Sequence, residues 1–178
     1  MSQIILFSGH MIDRPGRLKP RFTEQGTSTV TREILKQLTE IDRSKSTLGL
    51  AGGACGGDII FHELCMSLGI ATEIYLPKSI NEFKHESVAY AGNSWIERFD
   101  RLLDNLPFKI LDSSQSSTEI NVWQQANTWM INDAMKMGNN QFTLMALWDH
   151  EKGDGKGGTA DIIDICSTLK QKIKIIDL

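Results

Sequence analysis

The sequence predicts a three-layer α/β domain with a mainly parallel central sheet. Three observations predict it. Six short, mostly apolar runs recur along the chain, and segments with apolar residues at helical spacing separate them. Strands covered on both faces read as such runs, and their alternation with helices marks parallel βαβ units. The length, 178 residues, suits one domain at ~150 residues per domain, and the whole of 1–178 is assigned to it.

The elements follow in order. The first strand is Ile4–Ser8. A helix over Gln25–Glu40 places Ile34, Leu35 and Leu38 on one stripe. The second strand is Thr47–Ala51, and the helix Asp58–Leu68 gathers Ile60, Phe61, Leu64, Cys65 and Leu68 at 3.6-residue spacing. Thr72–Leu76 is the third strand. Ser79-Ile80-Asn81-Glu82 and Ser94-Trp95-Ile96-Glu97 have capping-box spacing, so each starts a helix. Phe108–Leu111 is the fourth strand. A long helix runs from about Thr118 to Met137 and stops at Gly138. Phe142–Trp148 is the fifth strand. The last helix begins near Gly158 and carries Ile162, Ile163, Ile165, Cys166 and Leu169, before a final strand at Lys172–Ile176.

Composition narrows the function classes. Hydrophobic residues are 40% and charged residues 23%, which excludes a disordered chain. A net charge of −3 argues against general nucleic-acid binding through phosphates. Three cysteines, Cys55, Cys65 and Cys166, form no CxxC pair; reduced thiols in a cytoplasmic protein fit best, with neither a disulfide framework nor a structural zinc. No run approaches the ~18 to 20 apolar residues that span a membrane. Met1-Ser2-Gln3 brings no basic residue before the short run Ile4–Phe7, so no signal peptide is expected.

In parallel sheets ligands bind beyond the carboxyl ends of the strands, so the loops carry the functional argument. The first strand is followed by Ser8-Gly9-His10 and a basic stretch. The second is followed by Gly52-Gly53-Ala54-Cys55-Gly56-Gly57-Asp58. The fifth leads through Asp149-His150-Glu151 to Lys156-Gly157-Gly158-Thr159-Ala160-Asp161. All three should converge on one edge. A glycine loop before a helix suits phosphate because bare backbone N–H groups approach the anion and the helix N-terminus adds partial positive charge. The alternative for either loop is a tight turn that lets helix and strand pack closely. Gly52–Gly57 and Gly153–Gly158 have the four-residue gap of a P-loop, but Asp58 and Thr159 stand where its lysine belongs, which argues against a Walker-type NTPase. GxGxxG is absent from the first loop, so nothing supports a NAD site.

Gly52-Gly53-Ala54-Cys55-Gly56-Gly57-Asp58, followed by a helix, a strand and Pro77, resembles the first signature of the SLOG superfamily, which joins the SMF/DprA DNA-processing proteins with the LONELY GUY (LOG) phosphoribohydrolases. It is most similar to the YspA-like branch, whose second signature ends in GTAD, as in Gly158-Thr159-Ala160-Asp161. Asn127 and Met130 are similar to a segment that the branch carries between the two. The resemblance covers roughly 47–178, and the first strand fits as well. It implies a Rossmann-like fold and a site for a nucleotide or nucleotide-derived ligand. Some members hydrolyse the N-glycosidic bond of nucleoside 5′-monophosphates; others are held to be sensors in signalling or bacterial defence. The LONELY GUY relatives also imply a homodimer. Their motif PGGxGTxxE is departed from at two places: Ile162 stands where the catalytic glutamate belongs, and Lys156 replaces the proline. Asp161 is adjacent but points ~100° away around a helix.

Individual residues carry alternatives. Asp58 and His62 share a helix face. Asp58 either caps its helix or bonds a ribose; His62 reads as a surface or packed residue, and no third ligand supports a metal site. Glu63 is a general base if burial raises its pKa, and otherwise a solvated residue. Asp161 contacts a ribose or complements the helix dipole, and the GTAD match favours the first. Arg14, Arg17, Lys19 and Arg21 form a mobile basic loop over the site, from which Arg14 or Arg17 can clamp a phosphate. His10 can help with an anion. Trp95, Trp123 and Trp129 read as packing residues, although Trp129 near Asn127 is also placed for base stacking. Trp148 is placed to wall the pocket. Lys170, Lys172 and Lys174 form an exposed face.

The expected function is therefore binding of a nucleotide or nucleotide-derived ligand, as a sensor in signalling or defence. The glycine backbones of both loops, Gly52, Gly53, Gly56, Gly57, Gly157 and Gly158, would hold phosphate with help from Arg14 or Arg17. Asp58, Asn127 and Asp161 would fix sugar or base, and Gly9, His10 and Thr159 would complete the nucleotide site. One alternative is an N-glycosidic hydrolase in which Asp58, Glu63 or Asp161 stabilises charge on the ribose. Another is an interaction module without a ligand. No metal or cofactor is implied.

Overall fold

The computed structural model describes residues 3–42, 44–112, 121–152 and 156–178. These residues form a six-stranded, all-parallel sheet with strand order β4-β3-β2-β1-β5-β6. The strands are β1 (Gln3–Gly9), β2 (Thr47–Ala51), β3 (Ala71–Leu76), β4 (Phe108–Ile110), β5 (Thr143–Trp148) and β6 (Lys172–Asp177). The helices are α1 (Thr27–Thr39), α2 (Gly57–Ser67), α3 (Ile80–Ser87), α4 (Asn93–Asn105), α5 (Val122–Met137) and α6 (Thr159–Thr168). The predicted α/β architecture, a Rossmann-like sandwich, is the one found.

Topology assigns the faces. From β1 to β4 the chain steps in one direction, and right-handed crossovers keep α1 to α4 on one side. It then returns across the sheet, so α5 packs over β1, β2 and β3 on the other side, where α6 joins it beside β5. Period-two alternation along β1 feeds both layers. Ile5 and Phe7 join the core under α1–α4 with Ile34, Phe61 and Phe99, while Ile4 and Leu6 join the core under α5 and α6 with Ile131 and Ile162. Each such fully buried side chain contributes about 1.5–3 kcal/mol relative to exposure. The sheet edges are less covered. Phe108 and Ile110 on β4 are exposed, and on β6 only Ile176 is buried.

Several boundaries differ from expectation for local reasons. The helix expected from Gln25 begins as a 3-10 turn, Glu24–Gly26, before α1. Ser79 caps α3 as predicted, accepting from the Glu82 N–H. Ser94 does not cap α4: Gly92, at φ +109°, lets the chain turn from a 3-10 segment directly into the helix at Asn93. The predicted start of the long helix at Thr118 lies outside the described residues; α5 is capped by Asn121, whose side chain accepts from the Trp123 N–H. Phe142 precedes β5 because its N–H goes to the Gln171 side chain. All three cysteines are buried and free. Among the described residues no helix is long and apolar enough to cross a membrane.

Candidate functional site

Strand order reverses at β1, which pairs with β2 on one side and β5 on the other. The loops after β1 and β2 and the segment entering α6 meet beyond these carboxyl ends, around a cavity of about 870 Å³. This is the topological switch point, where open parallel sheets place their ligands. α3 and the N-terminal half of α5 close its far side, with Phe83, Trp123, Asn127 and Met130 in the wall.

The glycine loop after β2 is built largely for packing. Gly56 has φ +108°, and a Cβ there would lie 2.8 Å from the His10 carbonyl oxygen. The loop after β1 is laced to it: Ile12 N–H donates to Cys55 O (3.1 Å) and Gly57 N–H to His10 O (3.1 Å). Gly57 lies against Gly9, so α2 begins in contact with the end of β1. Gly53 abuts the Phe99 ring. Of the four glycines in this loop, Gly52 lines the cavity; Gly53, Gly56 and Gly57 do not. The N–H of Gly57, one of the free donors of a helix start, is already taken by His10.

Asp58 occupies the space beside Gly52, where a Cβ would meet its Oδ2 at 2.7 Å. Its carboxylate accepts from the Ala54 N–H (3.3 Å) and lines the cavity. Burial raises its pKa to about 7, against the lowering effect of the Ala54 and Gly9 backbone donors. His62, one turn on, is fully buried rather than at the surface. Its Nε2 lies 2.8 Å from Gly52 O and its Nδ1 2.7 Å from Thr72 Oγ1. A carbonyl opposite Nε2 requires the proton there, and burial lowers the pKa of His62 to about 4, which makes it a neutral strut beneath the loop. Glu63 points elsewhere, pairing in a fork with Arg98 (2.9 and 2.6 Å) against the Trp95 ring. It does not reach the cavity.

The segment entering α6 is fixed by side chains on α5 and α6. Gly157, at φ +93°, packs on α5, where a Cβ would lie 2.5 Å from Trp123 Cβ. Its N–H donates to the Asp161 carboxylate and its carbonyl accepts from Asn127 Nδ2 (2.9 Å). Asn127 and Asp161 thus shape the loop, and Asp161 itself does not line the cavity. Gly158 and Thr159 do, and the Thr159 hydroxyl bonds Ser8 Oγ at 3.2 Å. Gly153, of the predicted glycine run, lies outside the described residues.

The basic stretch after β1 is tied down rather than free. Asp13 accepts from the Arg21 and Phe22 N–H groups (2.7 and 3.0 Å), and Phe22 is buried. Arg14 stacks over the Tyr90 ring at 4.2 Å and donates to Glu86 O (2.7 Å). Arg17 bonds Lys19 O and approaches Asp13. Arg14, Arg17 and Arg21 all border the cavity, as does Lys156. Arg21 grips Asp149, at the end of β5, through Nε and Nη2. This bond holds the Asp149 carboxyl well below the usual carboxylate range. His10 completes the cluster, with Nε2 2.8 Å from Arg21 Nη2 and 3.0 Å from Asp149 Oδ1. Burial lowers its pKa, and Arg21 adds to the effect against the raising influence of Asp149.

The tryptophans divide differently from expectation. Trp95 is core and Trp129 packs on Tyr75. Trp148 bonds Glu151 O and packs against the tilted His150 ring, away from the cavity. Trp123, which reads as packing in the sequence, is in the cavity wall beside Phe83 and Lys78. Asp149 and Tyr90 have no motif to announce them, although Asp149 occupies the strand-end position where such residues gather, and Arg21 belongs to the predicted basic loop without being singled out there. Among the described residues no cluster of three or more His, Cys, Asp or Glu is arranged to hold a metal.

Fold and site define a doubly wound parallel α/β protein with a cation-bordered cleft at its switch point. No protein-family model and no curated protein matches the chain. Among solved structures it is similar to an X-ray structure of TM1055, with 12% identity and a TM-score of 0.52 over 96% of this chain and 72% of that one. It also aligns with an X-ray structure of DNA processing protein A (DprA) from Streptococcus pneumoniae, at 12% identity and a TM-score of 0.45, over 97% of this chain and 58% of that one. The likeness to TM1055 is one of fold.

Proposed function

We propose that the chain binds a nucleotide or nucleotide-derived ligand in this cavity and acts as a sensor. The observation that carries the reading is the meeting of the α6 N-terminus, the end of β1 and three arginines around one space of about 870 Å³, within the ~300–1,000 Å³ of small-molecule sites. Phosphate is held by the backbone at Gly158 and Thr159, with Arg14 and Arg17 facing it from the loop. The Trp123 and Phe83 rings offer an apolar surface to a base, and Asp58 accepts from a ribose hydroxyl. The SLOG resemblance agrees with this ligand class, as do Gly52, Gly157 and Gly158, the motif glycines that border the cavity. Glu63, Gly53, Gly56 and Gly57 have no part in it.

A second reading, N-glycosidic hydrolysis, rests on Asp58. A carboxyl with a pKa of about 7 is suited to proton transfer near neutral pH. Thermal shift with nucleoside mono-, di- and triphosphates, cyclic nucleotides, ADP-ribose and NAD, followed by chromatography, separates the readings. A ligand at 100 times its Kd stabilises by about 2.7 kcal/mol, roughly 5 to 11 °C for a domain of this size. Stabilisation without product supports the sensor. Release of free base supports the hydrolase. Neither, across the panel, sinks both and leaves an interaction module.

A further inference from the structure

The cluster of His10, Arg21 and Asp149 is made of residues from two loops, and its His10 and Arg21 border the cavity. Its geometry sets two incompatible demands on one nitrogen. Arg21 Nη2, which can only donate, stands 2.8 Å from His10 Nε2 and requires a lone pair there. Asp149 Oδ1, which can only accept, stands 3.0 Å from the same atom and requires a proton. The neutral ring carrying its proton on Nδ1 satisfies Arg21 and opposes Asp149. A proton on Nε2 satisfies Asp149 and opposes Arg21, and the imidazolium is the form that carries it while keeping the Nδ1 proton. Arg21 loses little in the second state, because Nε and Nη2 remain bonded to Asp149. Nε2 is thus committed to the pair in either state, so Nδ1 is the remaining polar atom of a ring that borders the cavity.

We propose that His10 is a proton-linked anion contact of the cavity: an anionic group bound against its ring is held by the imidazolium, so binding takes up one proton. The inference rests on reading the cavity as an anion site. The proton comes from solvent and goes to Nε2, which then donates to Asp149, while Nδ1–H donates to the anion. The other charged groups bordering the site are Asp13, Arg14 and Arg17 on the loop after β1, Asp58 on α2, Glu86 on α3 and Lys156 before α6. Arg17 opposes the imidazolium, as Arg21 does. The bound anion offsets both, and Asp149 fixes which nitrogen faces it. Such a site favours a doubly charged terminal group over a singly charged bridging one, because the first gains more from the added proton.

Histidine-selective NMR on the full chain tests this, with the His10 resonances assigned from His10→Gln. The probes are adenosine 5′-monophosphate and inorganic sulfate, the latter because its charge is constant across the range in which histidine titrates. The expected result is a rise of about one unit or more in the His10 titration midpoint with either probe, equivalent to roughly tenfold tighter binding on protonation. Asp149→Asn should remove most of that rise, and the other three histidines of the chain should not share it. A His10 midpoint unmoved while the Trp123 indole signal reports a bound probe overturns the proton linkage and leaves the nucleotide reading standing. Sulfate moving His10 while the nucleotide does not bind upholds the linkage and removes that reading. Neither probe binding overturns both.

Discussion

Asp58 accepts backbone hydrogen bonds, yet among the described residues no cation lies close enough to lower its pKa, and that sets its thermodynamic sign. Its folded pKa is about 7 against an ordinary value of 3.8. Between those values the native state binds more protons than the unfolded chain, so stability falls as pH rises and the full penalty is present above about pH 7. Asp58→Asn keeps an acceptor for the Ala54 N–H and removes the charge. After allowance for the solvent that reaches the cavity, it should stabilise by about 2 kcal/mol near pH 8, or roughly 4 to 8 °C, and by nothing below about pH 4. Thermal melts of both proteins across that range measure this, and an equal gain at its acidic and alkaline ends would refute the assignment. The same aspartate can be named from sequence, because an acid on the first turn after a glycine loop has few places to go. His10, Arg21 and Asp149 cannot be joined that way. Arg21 and Asp149 are 128 positions apart, and nothing local in either segment specifies the other.

At the scale of elements, the glycines divide by what replaces their missing side chains. Gly157 must be bare twice over, since φ is +93° and a Cβ would press into α5. Gly16 has φ +82° with nothing within 4 Å, so only its backbone conformation matters. Gly157→Ala should therefore cost about 2–4 kcal/mol, combining left-handed strain with overpacking, and Gly16→Ala about 1 kcal/mol. Urea unfolding of the two variants gives the comparison; equal costs would mean that the contact between α5 and the α6 loop carries no energy. Sequence cannot make this distinction. A glycine that admits a phosphate and one that admits a neighbouring helix look the same, which is why the motif points Gly53, Gly56 and Gly57 at the ligand while the fold gives them to packing. The strands are legible because burial on both faces demands apolar runs. The start of α4 is not, because Gly92 and a 3-10 turn open the helix in place of a Ser94 cap.

For the molecule as a whole, two titrating groups on α2 oppose each other. His62 joins β2 to β3 through Gly52 and Thr72, and its pKa is about 4 against an ordinary value of 6.5. A histidine buried neutral contributes no penalty above pH 6.5. As pH falls from there towards about 4 the unfolded chain gains a proton that the native state refuses, and stability drops by about 3 kcal/mol. Asp58 runs the other way across much of the same range, so the intact protein should show a shallow dependence between about pH 4 and 6.5. Removing either group should expose the other. Asp58→Asn should steepen the loss of stability on acidification, His62→Gln should reverse its direction, and the double variant should keep only the residual loss that His10 contributes, since burial lowers its pKa too. The glutamine of His62→Gln can still donate to the Gly52 carbonyl, so slopes rather than absolute stabilities decide the matter. Urea midpoints at closely spaced pH intervals supply those slopes. A shallow dependence persisting in Asp58→Asn would mean that His62 titrates in the folded state, and that the strut beneath the glycine loop opens to water.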